Sequence, residues 1–491
     1  VRIEEHPILT FERGRRIEFQ FDGRTLTGHE GETIAAALHA AGVRVLRKSI
    51  KRSHPRGFFC AIGRCSSCLM TVDGVPNVMT CVTRLREGMR VETQVGKGAI
   101  APAGAPAPSA LEPDEPFDLG TVPLAIVGAG PAGLSAAIAA GRLGVASVIL
   151  DENDVAGGQL IKQTHMFFGA KEHHARVRGV DIGVRLLEDL EGLPVRLLLG
   201  TTVLGLYPDR TLSLLRNGRH HRIRASAVVL AAGASENVLA FDGGDLPGVY
   251  GAGAVQTLMN VEGVVPGGRV LMVGAGNIGL IVGYQLLQAG VEVAAVIEAL
   301  PRVGGYHVHA AKIRRAGVPI LTSHTIVRAE GRQSVEAAVI SAIDEDWHPI
   351  SGTERRLPVD VICLAVGLTP NCELAFQAGC ERAYVPELGG HVAVHDRDLA
   401  TTVPGVYIAG DGSGIEEAST AMLEGRLAGL AAAARVGDSV DRARVEGLKR
   451  EALDGLTALR AGPFGAAPRA GKERMFDLSG SAVRGERGPQ A

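Results

Sequence analysis

The sequence predicts an α/β protein of parallel sheets flanked by helices, headed by a small β-rich unit. Three observations predict it. An apolar strand, a turn with glycines at GxGxxG spacing and a helix follow one another twice, near 124–151 and near 269–298. From about residue 121 to 430, apolar strands alternate with helical patterns, as in a parallel sheet covered by helices. Ahead of them, residues 1 to about 96 carry short alternating strands bounded by turn dipeptides.

In the N-terminal unit, RRIEFQFDGRTLTG alternates apolar and polar residues around Asp22-Gly23, a dipeptide that favours a tight hairpin. TIAAALHAAG is a short Ala-rich helix, with Gly42 suited to its C-terminal cap. Asp73-Gly74 signals a second hairpin and MRVETQV a last strand, a set compatible with a β-grasp arrangement. The following GKGAIAPAGAPAPSALEPDEPFDLG has no usable period and reads as an extended, mobile tether. After about Leu430 the pattern fades, and LRAGPFGAAPRAGKERMFDLSGSAVRGERGPQA is expected to be poorly ordered or partner-dependent.

Composition narrows the function. With 491 residues the chain is too long for one core and is expected to form two to four domains. The 51 basic and 53 acidic side chains nearly cancel, which argues against a dedicated nucleic-acid binder. No secretory signal is visible, and seven cysteines, an odd count, point to metal or redox chemistry rather than a disulfide framework. Leu119 to Gly141, 23 residues without a charge, imitates a membrane span. Its glycine spacing and the acid that follows argue instead for a buried strand, a turn and a helix, so no transmembrane segment is expected.

In LAIVGAGPAGLSAAIAAGRLGVASVILDE, Gly128 permits a tight turn, Gly130 lets a pyrophosphate approach the backbone, and Gly133 lets the helix pack on the strand. The helix N-terminus offers free N–H groups to phosphates. Asp151 stands where a carboxylate meets ribose hydroxyls. RVLMVGAGNIGLIVGYQLLQAGVEVAAVIE repeats the design with Gly274, Gly276, Gly279 and Glu298. An acid there favours NAD over NADP, although Arg302 stands close enough to meet a phosphate.

FFCAIGRCSSCLM, residues 58 to 70, holds three of the seven cysteines. Cys60, Cys65 and Cys68 follow C-x4-C-x2-C, and Cys81 comes after twelve intervening residues. This is the plant-type [2Fe–2S] pattern with a short closing gap, and the small residues Ala61, Gly63, Ser66 and Ser67 let backbone N–H groups face the sulfides. A structural zinc site, which usually takes two short-spaced pairs, and a redox dithiol at Cys65 and Cys68 remain as alternatives. The adjoining RKSIKRSHPRG, Arg47 to Gly57, is the main charge concentration, either a solvated loop or a docking surface for a flavin phosphate or an acidic subunit face.

The chain from about 121 to 432 resembles the two-dinucleotide flavoprotein fold of pyridine-nucleotide oxidoreductases, in the thioredoxin-reductase-like branch. GGQL at 157–160, VVLAAGASE at 228–236, CLAVGLTPN at 363–371 and GVYIAGDGSG at 405–414 stand in that family's order. The resemblance implies FAD on the first fingerprint, with Gly158 and Gln159 near the flavin and Gly410 and Asp411 at its ribityl or pyrophosphate region. It implies the nicotinamide nucleotide on the second. The redox cysteine pair of a disulfide reductase is missing from GGQLIKQTH and YGAGAVQTLMN, and Cys363, Cys372 and Cys380 read as structural thiols. FDGRTLTGHEGETIAAALHAAGVRVLRKSIKRSHPRGFFCAIGRCSSCLMTVDG resembles the N-terminal domain of the sarcosine oxidase α-subunit family. It is similar also to the ferredoxin-like subunits of hydrogen cyanide synthase, opine oxidase and hydroxyproline or proline dehydrogenase complexes.

Together these readings place a [2Fe–2S] domain at 1–96, a linker at 97–120 and FAD-binding parts at 121–245 and 363–435. An NAD(P)-binding domain falls at 246–362 and a tail at 436–491. The function they imply is an electron-transferring, α-type subunit of an amine, amino-acid or imino-acid dehydrogenase or oxidase. Its partner would be a second flavoprotein subunit bearing the substrate site, in a cytoplasmic hetero-oligomer with peripheral membrane association left open. The alternative is a stand-alone NADH-dependent reductase feeding an oxygenase or other acceptor. No general base is visible beside the flavin, so no catalytic residue is assigned. His307 and His309 show no metal spacing.

Overall fold

Asp22 and Gly23 both take positive φ, 46° and 76°, the backbone of a two-residue hairpin turn. The turn joins Arg16–Phe21 to Arg24–His29 in register from Phe21 and Arg24 outward. Asp73 and Gly74 repeat the device, at 50° and 80°, between Leu69–Val72 and Val75–Met79. The structure, a computed structural model, describes residues 1–99, 120–167 and 174–483. It divides into two units, Val1–Ala110 with Glu236–Val366 and Leu111–Ser235 with Gly367–Ala491. Most of the segment expected to be a tether lies outside the described residues.

In the first unit, five strands stand in the order Arg24–His29, Arg16–Phe21, Arg90–Glu92, Leu69–Val72, Val75–Met79. Arg16–Phe21 and Arg90–Glu92 run parallel at the centre, so the strand from MRVETQV closes a β-grasp-like sheet. The helix Ile34–Ala40 is capped by Thr33, whose hydroxyl accepts from Ala36 N–H at 3.3 Å, and its apolar side chains are buried. The half formed by Glu236–Val366 has five parallel strands, in the order Val249–Gly251, Val361–Leu364, Arg269–Val273, Glu292–Glu298, Ile320–Thr322. One apolar core joins the two halves, from Ile17 and Phe19 to Val255 and Leu258. Polar contacts cross the same seam. Arg44 Nη1 donates to Pro266 O at 2.7 Å, and Gly251 N–H to Phe59 O at 3.1 Å.

In the second unit, the twelve-residue strand Arg219–Leu230 pairs in parallel with Thr121–Val127 and Val406–Ile408, and antiparallel with Thr211–Arg216. Ser147–Leu150 and Val195–Leu198 continue the parallel side. The chargeless window around residue 130 resolves into the strand Thr121–Val127 and the eleven-residue helix Pro131–Gly141. No helix among the described residues is long and apolar enough to cross a membrane. That helix packs on Ala418–Val436 through glycine. A Cβ on Gly425 would stand 2.0 Å from Ala132 O, and one on Gly429 2.3 Å from Ala136 O.

The C-terminal segment departs from the expectation of a poorly ordered tail. Arg442–Leu459 and Ala466–Val483 are helices. Asp441 caps the first, accepting from Ala443 and Arg444 N–H at 3.0 and 3.2 Å, and Val445, Ala452 and Leu456 are buried beneath it. The helical period there is carried by alanines and by long charged side chains with buried stems, which blurs an apolar stripe read from sequence.

Candidate functional site

Each fingerprint glycine occupies the setting its spacing required. Gly128 sits at φ 105°, and a Cβ there would lie 2.3 Å from Ala231 O. On Gly133 it would lie 1.8 Å from Gly128 O, so the third glycine exists for helix–strand packing. On Gly130, in contrast, its nearest neighbour would be Gly158 Cα at 3.8 Å, which leaves the turn open to a ligand. Asp151, buried, accepts Ala129 N–H at 2.6 Å and thereby holds the turn from beneath, with Asn153 N–H on its other oxygen at 2.8 Å.

The structure brings the later motifs to the same place. Gly157 N–H donates to Ala129 O at 2.8 Å, and Gly158, at φ 54°, stacks its backbone against Gly130. Gln159 beside them is exposed. Gly410, at φ 68°, lies against Ala132 at the start of the same helix. Asp411 follows, its carboxylate accepting one hydrogen bond among the described residues, a long 3.4 Å contact from Glu416 N–H. Burial pushes its carboxyl up to about 6, with Glu424 and Glu416 adding to the rise. A recessed carboxylate short of donors suits the hydroxyl-rich chain of a flavin nucleotide.

The second fingerprint repeats these relations almost atom for atom. Gly274 is at φ 105° with Ala365 O at 2.2 Å from its hypothetical Cβ, and Gly279 would meet Gly274 O at 2.0 Å. Gly276 has nothing within 4 Å. Glu298 accepts Ala275 N–H at 2.8 Å and Leu300 N–H at 3.0 Å. Gly305 N–H donates to Ala275 O at 3.0 Å, as Gly157 does in the first copy. Sequence reading overlooked Gly304 and Gly305. They fall six and seven residues after Glu298, the same offsets as Gly157 and Gly158 from Asp151, although here the second glycine of the pair, not the first, bonds the turn carbonyl; the repeated GG was the available signal. Asn277, which accepts Tyr306 N–H at 2.8 Å, was overlooked as well.

The four cysteines form a string of contacts, Cys65 to Cys60 to Cys81 to Cys68. Ala61, Gly63 and Ser66 take positive φ, which turns the loop around the sulfurs, and the Ile62 and Cys65 backbone groups bond the Cys60 sulfur. Hydrogen bonds from Cys65 and Cys81 hold Cys60 low, and one from Cys81 does the same for Cys68. The donors Cys65 and Cys81 are pushed up. Four thiolates this close repel one another unless metal charge offsets them, which is the chemistry of a ligand set. Among the described residues no three His, Cys, Asp or Glu side chains are arranged around a single ion. The string offers two thiol pairs, Cys60 with Cys65 and Cys68 with Cys81, and so suits a two-iron cluster.

The remaining thiols are buried and inert. Burial raises Cys363 well above the usual thiol range, Cys372 to about 12, and Cys380 in the same direction. His309 is buried and its ring pushed down to about 4 by burial and by Lys312. The basic run forms a two-stranded arm, Arg47–Lys48 with Pro55–Arg56, and exposes Lys51 and Arg52 at its tip. Arg47, Lys51 and Arg52 line a cavity of about 490 Å³ whose far wall is Cys65 to Ser67. Arg56 is tied back to Asp245 by an ion pair.

Comparison with known proteins agrees with this geometry. Residues 122–425 match the family model described as pyridine nucleotide-disulphide oxidoreductase, and residues 14–96 match a 2Fe-2S iron-sulfur cluster binding domain. The alpha subunit of sarcosine oxidase from Rhizobium meliloti is 28% identical over 443 residues, which is 78% of this chain and 43% of that protein. The chain therefore spans less than half the length of that relative. An opine oxidase subunit from the same organism, Rhizobium meliloti, is 30% identical over 359 residues, 68% of this chain and 75% of the relative. The crystal structure of L-proline dehydrogenase from P. horikoshii shares the fold, with a TM-score of 0.67 at 24% identity over 91% of this chain and 79% of that one. The chain thus belongs to the pyridine nucleotide-disulphide oxidoreductase family, as a flavin-type oxidoreductase that carries a 2Fe-2S domain at its N-terminal side.

Proposed function

We propose that this chain is the electron-transferring, α-type subunit of a multi-subunit amine, amino-acid or imino-acid dehydrogenase or oxidase. The observation that carries the reading is the combination in one chain of two open glycine turns, each held by an acid, with a four-thiol loop and no reactive cysteine pair near the first turn. Relatives named as subunits of sarcosine oxidase and opine oxidase support it. FAD would be held by Gly128, Gly130, Gly133, Asp151, Gly158, Gln159, Gly410 and Asp411. NAD would be held by Gly274, Gly276, Gly279 and Glu298, and [2Fe–2S] by Cys60, Cys65, Cys68 and Cys81. When bound, a flavin accepts two electrons as hydride and releases them singly, and an iron–sulfur cluster carries one electron at a time.

The chain's own residues bind, orient and exclude. Gly130 and Gly276 admit a pyrophosphate to the backbone, where the helix N-termini face its charge. Asp151 and Glu298 fix the turns through Ala129 and Ala275 and keep lone pairs for ribose hydroxyls. A carboxylate at Glu298 repels a 2′-phosphate, which favours NAD. The inertness of Cys363, Cys372 and Cys380 turns the family's chemistry away from disulfides.

The test is turnover by the purified chain alone and with its partner. The isolated chain should reduce dyes slowly with NADH and leave amines and amino acids untouched. Supplying a second, substrate-binding flavoprotein should create substrate-dependent dye reduction. Rapid NADH oxidation into a soluble acceptor by the lone chain would instead favour a stand-alone reductase.

A further inference from the structure

Glu424 is 2% exposed and lies on the helix Ala418–Val436, where Gly425 lets the backbone approach Ala132. Its Oε2 accepts Gly410 N–H at 3.0 Å and lies 2.6 Å from Ser413 Oγ, whose single proton it shares with Gly410 O at 2.8 Å. Its Oε1 accepts from Arg460 Nη2 at 2.7 Å and from Lys472 Nζ at 2.8 Å. Lys472, also 2% exposed, spends its other two protons on Ser413 O at 3.0 Å and Ser413 Oγ at 2.7 Å. Arg460 grips Glu416 with two hydrogen bonds, of 2.9 and 2.5 Å, and Glu416 N–H is the donor to Asp411. Both cations come from the C-terminal region, Arg460 at the end of the helix Arg442–Leu459 and Lys472 within Ala466–Val483, beyond the segment 122–425 matched by the family model.

We infer that Lys472 and Arg460 are positioning residues of the flavin site, acting through Glu424 and Glu416 to set the Gly410–Ser413 turn and the charge of Asp411. This rests on the reading of Gly410 and Asp411 as flavin-holding residues. The physical reason is charge balance in a water-poor place. Three carboxylates, Asp411, Glu416 and Glu424, crowd one turn, and two cations offset them. Burial pushes Glu424 up, yet Lys472 and Arg460 together draw it down to about 2, so it stays ionised and keeps both oxygens as acceptors. Without the cations, protons would be taken up at this turn, Glu424 would lose an acceptor, and Gly410 N–H and Ser413 would be freed from their present geometry. A carboxylate buried this far from water has no solvent to replace its partners. The family-matched segment therefore holds half of a network that the C-terminal helices complete.

The experiment uses the full chain purified with flavin, and compares Lys472→Met, Arg460→Lys, Asp411→Ala and the double variant Lys472→Met/Glu424→Gln. Lys472→Met keeps the side-chain length and removes the charge; Arg460→Lys keeps the charge and removes the two-pronged grip. We expect both to weaken FAD binding by at least about tenfold. The double variant, which removes the opposing charges together, should recover most of the loss. The pH profile is the readout that mere packing would not move. Asp411 faces Glu416 from its own turn, Glu424 from the helix Ala418–Val436 and Lys472 from the C-terminal helix, with Arg460 and the neutral buried His395 behind them. Flavin retention should fall as Asp411 takes up its proton, and Lys472→Met should move that midpoint to higher pH. If Asp411→Ala loses flavin while Lys472→Met and Arg460→Lys retain it with an unshifted midpoint, the proposal is wrong and the reading of the turn stands. If Asp411→Ala retains flavin, the reading of the turn is itself wrong. Should Lys472→Met not fold, Lys472→Gln, which removes the same charge from a polar side chain, decides by the same two measurements.

Discussion

Glu298 Oε2 accepts the backbone N–H of Ala275 at 2.8 Å, and Asp151 holds Ala129 in the same way at 2.6 Å. In both glycine turns, then, one acid at the end of the second strand serves the protein itself. It fixes the residue between the first two glycines and keeps lone pairs for the ribose hydroxyl that the proposed function assigns to it.

For Glu298 we expect that replacement by glutamine leaves the fold intact, because the amide oxygen can still accept Ala275 N–H. NADH affinity should fall by about tenfold, on the order of 1.4 kcal/mol, and the preference over NADPH should narrow with the loss of repulsion toward a 2′-phosphate. Titration of both nucleotides by fluorescence quenching checks this. An unchanged preference would place nucleotide selection elsewhere, with Arg302 the first candidate.

The glycines of the first turn should separate binding from folding. Gly130→Val points into open space and should give a folded protein that has lost its flavin. Gly133→Ala drives a methyl group into Gly128 O and should lower stability by about 1–3 kcal/mol, whether or not flavin is present. Flavin absorbance and thermal melting on the two variants distinguish the outcomes. A Gly130→Val protein with full flavin would show that the first fingerprint has been misassigned.

Cys65→Ser should remove the EPR signal of a reduced [2Fe–2S] cluster while leaving flavin in place, because all four sulfurs lie in the first unit and the first fingerprint lies in the second. Iron and sulfide analysis of anaerobically purified protein provides the check. Zinc in place of iron after expression in a cluster-competent host would overturn the ligand assignment.

The exposed tip of the basic arm should act through long-range charge. Reversing Lys51 and Arg52 to glutamate should weaken assembly with a partner subunit, strongly at low ionic strength and little at high salt. Association rates measured across a salt series test this. Equal effects at every salt concentration would mean that the arm contributes shape or packing instead.

Asp411 and Glu424 should titrate with opposite signs in flavin-free protein. Burial raises Asp411 to about 6, so its cost to the folded state is present at pH 7 and is relieved as pH falls through that value. Glu424, pushed up by burial but drawn down further by Lys472 and Arg460 to about 2, adds stability above its ordinary 4.5 that drains away as pH falls toward that lower value. Between pH 7 and 5 Asp411 should therefore offset part of the fall imposed by the buried neutral rings of His39, His309 and His395, which burial holds at about 3, 4 and 3, and at more acid pH Glu424 adds to that fall. Asp411→Asn should raise the melting temperature at pH 7, on the order of 2–4 °C, and that advantage over the wild type should shrink as pH falls through about 6. A profile that this substitution leaves unaltered would assign the pH dependence to other groups.

What the sequence determined by itself was everything governed by local backbone chemistry. Asp22-Gly23 and Asp73-Gly74 make hairpins because few other pairs tolerate two positive φ angles in succession. Gly128, Gly133, Gly274 and Gly279 were legible because a side chain at any of them collides with a carbonyl oxygen a few residues or one strand away. The cysteine spacing was legible because a tight loop around sulfur needs small residues between its ligands. Tertiary structure decided what depends on partners distant in the chain. No spacing rule connects Lys472 to Glu424 across 48 positions, or Arg460 to Glu416 across 44, and the helices of that region lack a clean apolar stripe. Their charge became informative once folding had removed the water around it, since a lysine in solvent is unremarkable and a lysine at 2% exposure must have anions to meet.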